Sequence, residues 1–151
     1  MYHRHFLKQL NGKRYCIFYA LSAAQKSSRI HNSSEVIAGT YLLPIDLDDC
    51  DYESYRKVKD KLLSLNIETL DIYTGHGFQL LIILNKLEQN PKIFKYFTEL
   101  MVRKGFPVDS QIVDSARLFR LPATFNTKYF DTESFIYQTE IVDKPNRTYE
   151  A

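Results

Sequence analysis

Cysteine is scarce in this chain. With only Cys16 and Cys50 in 151 residues it cannot build a zinc knuckle, and the pair suggests no disulfide framework. Reduced thiols and a cytoplasmic protein are the expectation. No apolar run approaches the roughly 18–20 residues needed to cross a bilayer, so no membrane partner is expected. The N-terminus sets His3, Arg4, His5 and Lys8 around single hydrophobes, without a signal-peptide core. Internal repeats and low-complexity segments are absent. Acids are missing from residues 1–30, which carry Arg4, Lys8, Lys13, Arg14, Lys26 and Arg29, whereas residues 46–53 hold Asp46, Asp48, Asp49, Asp51 and Glu53. The net charge is only +2, so the chain is not a bulk polycation. A basic arm beside an acidic knot fits an enzyme that holds a polyanion and needs cations for chemistry. The plainer reading is a solvated face followed by an acidic helix start.

What is present reads as one domain, residues 1–151, with a basic arm over about 1–12 and a polar, frayed tail over about 143–151. Lys13 to Leu21 is rich in aromatic and aliphatic residues and predicts a strand, followed by a polar loop over 25–35. Gly39 to Asp48 predicts a buried strand interrupted by Pro44, which places it at an edge there or starts it at Ile45. Tyr55, Val58, Leu62 and Leu65 recur at helical spacing, predicting a helix over Asp51–Leu65. Ile67–Tyr73 and Phe78–Leu84 predict two strands joined by Gly75-His76-Gly77. Asn90-Pro91 opens a second helix with Ile93, Phe94, Phe97, Leu100 and Met101 inward, closed by Arg103, Lys104 and Gly105. Val108–Val113 and Arg117–Leu121 predict short extended pieces, and Phe135–Val142 a last strand. The order implies an α+β fold, with helices packed on one face of a mostly antiparallel sheet.

Three segments carry candidate chemistry. Asp46 and Asp48 stand two apart on a predicted strand, so both carboxylates share a face while Leu47 points to the core. Such a pair is a platform for hard divalent cations; the competing reading is an N-cap cluster, which Asp49 and Asp51 serve better. Thr74-Gly75-His76-Gly77-Phe78-Gln79 can present backbone N–H groups to a phosphate, or can simply be a tight hairpin. Downstream, Val108-Asp109 leads to Arg117, Arg120, Leu121-Pro122-Ala123-Thr124, Asn126 and Lys128. Arginine is the preferred bidentate partner for phosphate; the alternative is surface ion pairing of these arginines with Asp109 and Asp114.

In that order the three segments resemble the archaeo-eukaryotic primase (primase-polymerase) superfamily, especially its plasmid and phage replication-protein branch. The likeness spans roughly residues 41–128. The family's hydrophobic run ending in Asp-x-Asp is matched by Ile45-Asp46-Leu47-Asp48. Its Ser-Gly-x-Gly-hydrophobic-His, followed by an apolar strand, is matched by Thr74-Gly75-His76-Gly77-Phe78-Gln79 and Leu80–Leu84. Its hydrophobic-Asp, Arg-x-x-Arg and Leu-Pro-Gly-Thr-x-Asn-x-Lys are matched by Val108-Asp109, Arg117, Arg120 and Leu121–Lys128. The resemblance implies an RRM-like primase catalytic core. It also implies Asp46, Asp48 and Asp109 as catalytic, metal-binding carboxylates for Mg²⁺ or Mn²⁺. Thr74, His76, Gln79, Arg117, Arg120 and Lys128 would contact the nucleotide. Two departures stand out: Gln79 replaces a histidine that contacts phosphate, and Ala123 replaces a glycine, so that turn must avoid positive φ or carry strain.

The function so implied is a minimal DNA primase or primase-polymerase. It would make primers on a single-stranded DNA template from NTPs or dNTPs by two-metal nucleotidyl transfer in plasmid or phage replication, with a helicase or replication initiator acting in trans. The alternative is a non-catalytic single-stranded nucleic-acid-binding module on the same scaffold, for which eleven tyrosines and ten phenylalanines offer stacking surfaces. A third reading, a rolling-circle nicking enzyme evoked by Tyr2-His3-Arg4-His5, is weakened because Arg4 stands where that family's histidine pair encloses a hydrophobe.

Overall fold

The computed structural model describes residues 16–24, 37–114, 116–126 and 137–150. The centre of the molecule is a five-stranded antiparallel sheet. Two long strands, β3 (Ile37–Leu47) and β5 (Phe78–Glu88), form its axis. Around them stand β2 (Ser22–Ala24), β4 (Leu70–Tyr73) and β9 (Glu140–Asp143), in the order β2-β3-β5-β4-β9. Leu43, Ile45, Leu47, Phe78, Leu80, Leu81 and Ile82 are all buried, as near-continuous apolar runs in central strands require. Pro44 lies inside β3, opposite Leu81. It is tolerated because β2 pairs only with Ile37–Thr40, which leaves the Pro44 stretch with a strand on one side among the described residues. The strand therefore begins well before Ile45, and the edge placement is the correct half of the expectation.

Helix α1 (Tyr52–Ser64) starts where Asp51 accepts a hydrogen bond from the Ser54 N–H at 2.7 Å. Its Tyr55, Val58 and Leu62 are buried, and the Tyr55 ring stacks on Phe78 at 4.1 Å between centroids. Helix α2 (Ile93–Arg103) lies beside it: Lys61 of α1 donates to the Lys104 carbonyl at 2.6 Å and sits over the Phe106 ring. In α2 the inward positions are Phe94, Thr98 and Met101, while Leu100 is exposed. Periodicity alone assigned Leu100 inward; a buried Thr98 hydroxyl bonded to the Ile112 carbonyl at 2.6 Å takes that side instead.

Two small sheets complete the chain. β1 (Phe18–Ala20) pairs with β6 (Leu118–Arg120), and β7 (Phe125–Asn126) pairs with β8 (Tyr137–Gln138). The single last strand expected over Phe135–Val142 is two strands in different sheets. The break is Thr139, fully buried, which exchanges backbone hydrogen bonds with Ala123 and Thr124 and accepts from the Thr124 N–H through its hydroxyl. The stretch Val108–Val113 is turn and coil rather than strand. The C-terminal stretch, expected to fray, is tied back. The Tyr149 backbone bonds to Asn85 and Ile83, its hydroxyl accepts from the Glu68 N–H at 2.7 Å, and Arg147 pairs with Glu68. Those partners are remote in sequence, so local polarity could not reveal them.

Candidate functional site

The site forms at the C-terminal end of β3. Leu47, the last residue of β3, is buried, while Asp46 before it and Asp48 at the start of the following turn bring their carboxylates together. Asp109 arrives from the opposite direction. Helix α2 ends at Arg103, Gly105 just beyond it takes a φ of +71°, a conformation only glycine adopts without cost, and the chain turns back over buried Phe106. The Asp109 N–H then donates to the Asp46 carbonyl at 3.1 Å, on the edge of β3 that β2 leaves open. The Asp109 carboxylate accepts from the Gln111 N–H at 2.8 Å, an Asx turn that fixes its direction. Buried Ile112, held by Thr98, anchors the loop.

As a result one oxygen from each of Asp46, Asp48 and Asp109 lies within 4.8 Å of the others. Oxygens on one Mg²⁺ or Ca²⁺ are separated by at most about twice the bond length, roughly 4–5 Å, so the triad has the span of a hard-cation site. Its electrostatics point the same way. Burial pushes the Asp46 carboxyl from 3.8 up to about 7, and the charges of Asp48 and Asp109 add to the rise. Arg117 and hydrogen bonding from Gln79 oppose it without cancelling it. Three carboxylates thus converge on a place short of positive charge, which a divalent cation would supply.

The other sequence candidates fall into three groups. Gln79 is the direct cross-strand partner of Asp46, and its side chain is buried. Arg117 acts electrostatically on Asp46; one terminal nitrogen donates to the Gln111 carbonyl, and its Nε is buried without a partner among the described residues. Neither Arg117 nor Arg120 forms an ion pair with Asp109 or Asp114 among the described residues, so the plain surface-pair reading of this segment does not apply. Arg120 turns instead to Phe18, lying 5.0 Å from the ring centroid, and donates to the Cys16 sulfur at 3.2 Å. Lys128 lies outside the described residues, as does the basic arm.

The glycine turn is a tight hairpin closed by the Thr74 N–H donating to the Gly77 carbonyl at 2.9 Å, with the Thr74 hydroxyl on the same oxygen. His76 packs edge-on against Tyr137, and its carbonyl accepts from the Cys50 N–H. A Cβ on Gly77 would meet the Leu47 carbonyl oxygen at 2.0 Å. This glycine is therefore what lets the hairpin press on the end of β3 beside Asp48. An open pocket of about 550 Å³ shares Gly75 and His76 with this turn but none of the three carboxylates. Sequence reasoning gave no role to two participants. Gln111 links Asp109 to Arg117, and its position two residues after an Asp was a legible Asx-turn signal. Asn126 donates to the Thr74 carbonyl at 2.6 Å, fastening the third segment to the second.

No protein-family model matches the chain, and no curated protein matches it in sequence. Solved structures do match in shape. The archaeo-eukaryotic primase domain of the cyanophage S-2L primase-polymerase superposes with a TM-score of 0.70 at 9% identity, over 97% of this chain and 71% of that one. The chain has the fold of that primase domain. The primase RepB' superposes with a TM-score of 0.65 at 13% identity, over 98% of this chain. The present chain spans 44% of that protein's length. The α+β architecture implied by the sequence is thus the one observed, and it is shared with these two solved structures. Among the described residues no helix is long and apolar enough to cross a membrane.

Proposed function

We propose that this domain is a metal-dependent DNA primase or primase-polymerase catalytic unit, serving replication of a plasmid or phage type. The observation that carries the reading is the convergence of Asp46, Asp48 and Asp109 within 4.8 Å on a primase fold. The reaction would join a 3′-hydroxyl oxygen to the α-phosphorus of an NTP or dNTP on a single-stranded DNA template and break the bond to pyrophosphate. Bound Mg²⁺ or Mn²⁺ would supply Lewis-acid activation of the hydroxyl and charge neutralisation of the leaving group, in a two-metal arrangement. The three carboxylates would hold the cations. Arg117, with a buried unpartnered N–H beside them, would take a phosphate oxygen. Thr74 and His76 would border the nucleotide, and Arg120 and Lys128 would add positive charge along the template or triphosphate. A helicase or initiator would act in trans.

The test is primer synthesis on single-stranded circular DNA with labelled nucleotides and Mg²⁺ or Mn²⁺, comparing wild type with Asp46→Asn and Asp109→Asn. Product from the wild type alone is the expected result, and undiminished synthesis by either variant overturns the assignment. The neutral Gln79 beside Asp46 favours one other reading, a non-catalytic single-strand-binding module. It would be adopted if wild type makes no product but still binds single-stranded DNA.

A further inference from the structure

A glutamine has a donor end and an acceptor end. Gln79 sits across the β3–β5 ladder from Asp46 and is only 7% exposed. An ionised carboxylate can only accept, so with Asp46 charged it is the Gln79 Nε2 that serves it across the ladder. That leaves Oε1, which is buried and has no hydrogen-bond partner among the described residues. A buried carbonyl oxygen left unpaired is costly, and most such groups in folded proteins have a partner. Once ionised, as a cation requires of them, the surrounding carboxylates cannot be that partner, because each is then only an acceptor.

We propose that Gln79 Oε1 is a fourth oxygen donor of the site, joining the coordination sphere of a divalent cation held by Asp46, Asp48 and Asp109. The inference rests on the cation reading of the acid triad given above. It makes the donor set all oxygen, which suits hard cations such as Mg²⁺ and Mn²⁺ and disfavours Zn²⁺, a metal that prefers nitrogen and sulfur. It also divides the labour of the site. Gln79 is uncharged and commits an N–H to Asp46, so the charged contact to an anion falls to Arg117, whose Nε is free to donate.

The test is calorimetric titration of metal-free wild type, Gln79→Leu, Gln79→Glu, Gln79→His and Asp46→Asn with MgCl₂, MnCl₂ and ZnCl₂, with thermal unfolding as a check on folding. Gln79→Leu should bind Mg²⁺ and Mn²⁺ about ten- to a hundredfold more weakly. Gln79→Glu, which keeps an oxygen there, should bind at least as tightly as wild type. Gln79→His should shift the ratio of affinities toward Zn²⁺, a change that a merely structural glutamine would not produce. A folded Gln79→Leu that binds as wild type does overturns the proposal. If Gln79→Leu does not fold, Gln79→Glu decides, and weaker binding than wild type overturns it. When wild type binds and Asp46→Asn does not, only the role of Gln79 is at stake. When wild type binds no cation at all, the cation reading and this inference fall together.

Discussion

Replacing Asp46 by asparagine should make the metal-free protein more stable at pH 8 while abolishing its stabilisation by metal. The exchange keeps shape and removes a charge. In the folded protein the Asp46 carboxyl titrates at about 7 instead of 3.8, chiefly because burial desolvates it and secondarily because Asp48 and Asp109 repel it. At 1.36 kcal/mol per pH unit, that gap corresponds to about 4 kcal/mol of native-state cost once the group is ionised; local relaxation and water entry reduce it to about 1–4 kcal/mol. The sign follows from linkage. Between pH 4 and 7 the native state holds a proton that the unfolded chain has released, so this group's contribution to stability is fully present below pH 4 and is lost as pH rises through 7. Urea unfolding in EDTA from pH 4.5 to 8.5 would measure this directly. The Asp46→Asn variant should differ least from wild type at pH 4.5, exceed it by about 1–4 kcal/mol at pH 8, and gain nothing from added Mg²⁺. An Asp46→Asn protein no more stable than wild type at pH 8, or a difference that does not change with pH, refutes the reasoning.

Other outcomes follow from the same geometry. Lys59 is buried between Asp71 and Asp143, at 2.8 Å from each, and Asp71 is wholly buried, so Lys59→Met should cost about 3–5 kcal/mol in urea unfolding by stranding a charge. Ala123 adopts a φ of +62°, a left-handed conformation that costs a residue with a Cβ about 1–2 kcal/mol. Ala123→Gly relieves that strain but loosens the unfolded chain, so it should be neutral to about 1 kcal/mol stabilising, read from the unfolding midpoint. Arg117→Met removes the cation that opposes the rise of Asp46, so the pH at which half-maximal Mg²⁺ binding appears should move upward. It should also weaken metal-dependent triphosphate binding about ten- to a hundredfold in a filter assay, the equivalent of losing a charged hydrogen bond.

The Ala123 turn shows how far a sequence reading reaches. Alanine where a glycine was expected posed two alternatives, an avoided positive φ or a strained one, and the structure takes the second. The strain is held because the Ala123 N–H and the Thr124 backbone are clasped by Thr139. Nothing in the local sequence of either segment foretold that clasp. Helix α1, by contrast, was legible almost to its ends, because Asp51, Tyr55, Val58 and Leu62 carry cap and periodicity within one stretch.

The same division holds for the site. Sequence alone determined that Asp46 and Asp48 share a face, since strand alternation is a local property of the backbone. It also determined that a glycine turn precedes an apolar strand, and that an acid and two arginines follow helix α2 in the chain. Tertiary structure decided what these residues are to one another. The open edge of β3 brought Asp109 against the Asp46 carbonyl, and the antiparallel register put Gln79 opposite Asp46. A cation–aromatic contact drew Arg120 to Phe18 while Arg117 stayed with the acids. Pairing register, edge availability and desolvation are properties of segments meeting across the fold, and no window of neighbouring residues contains them.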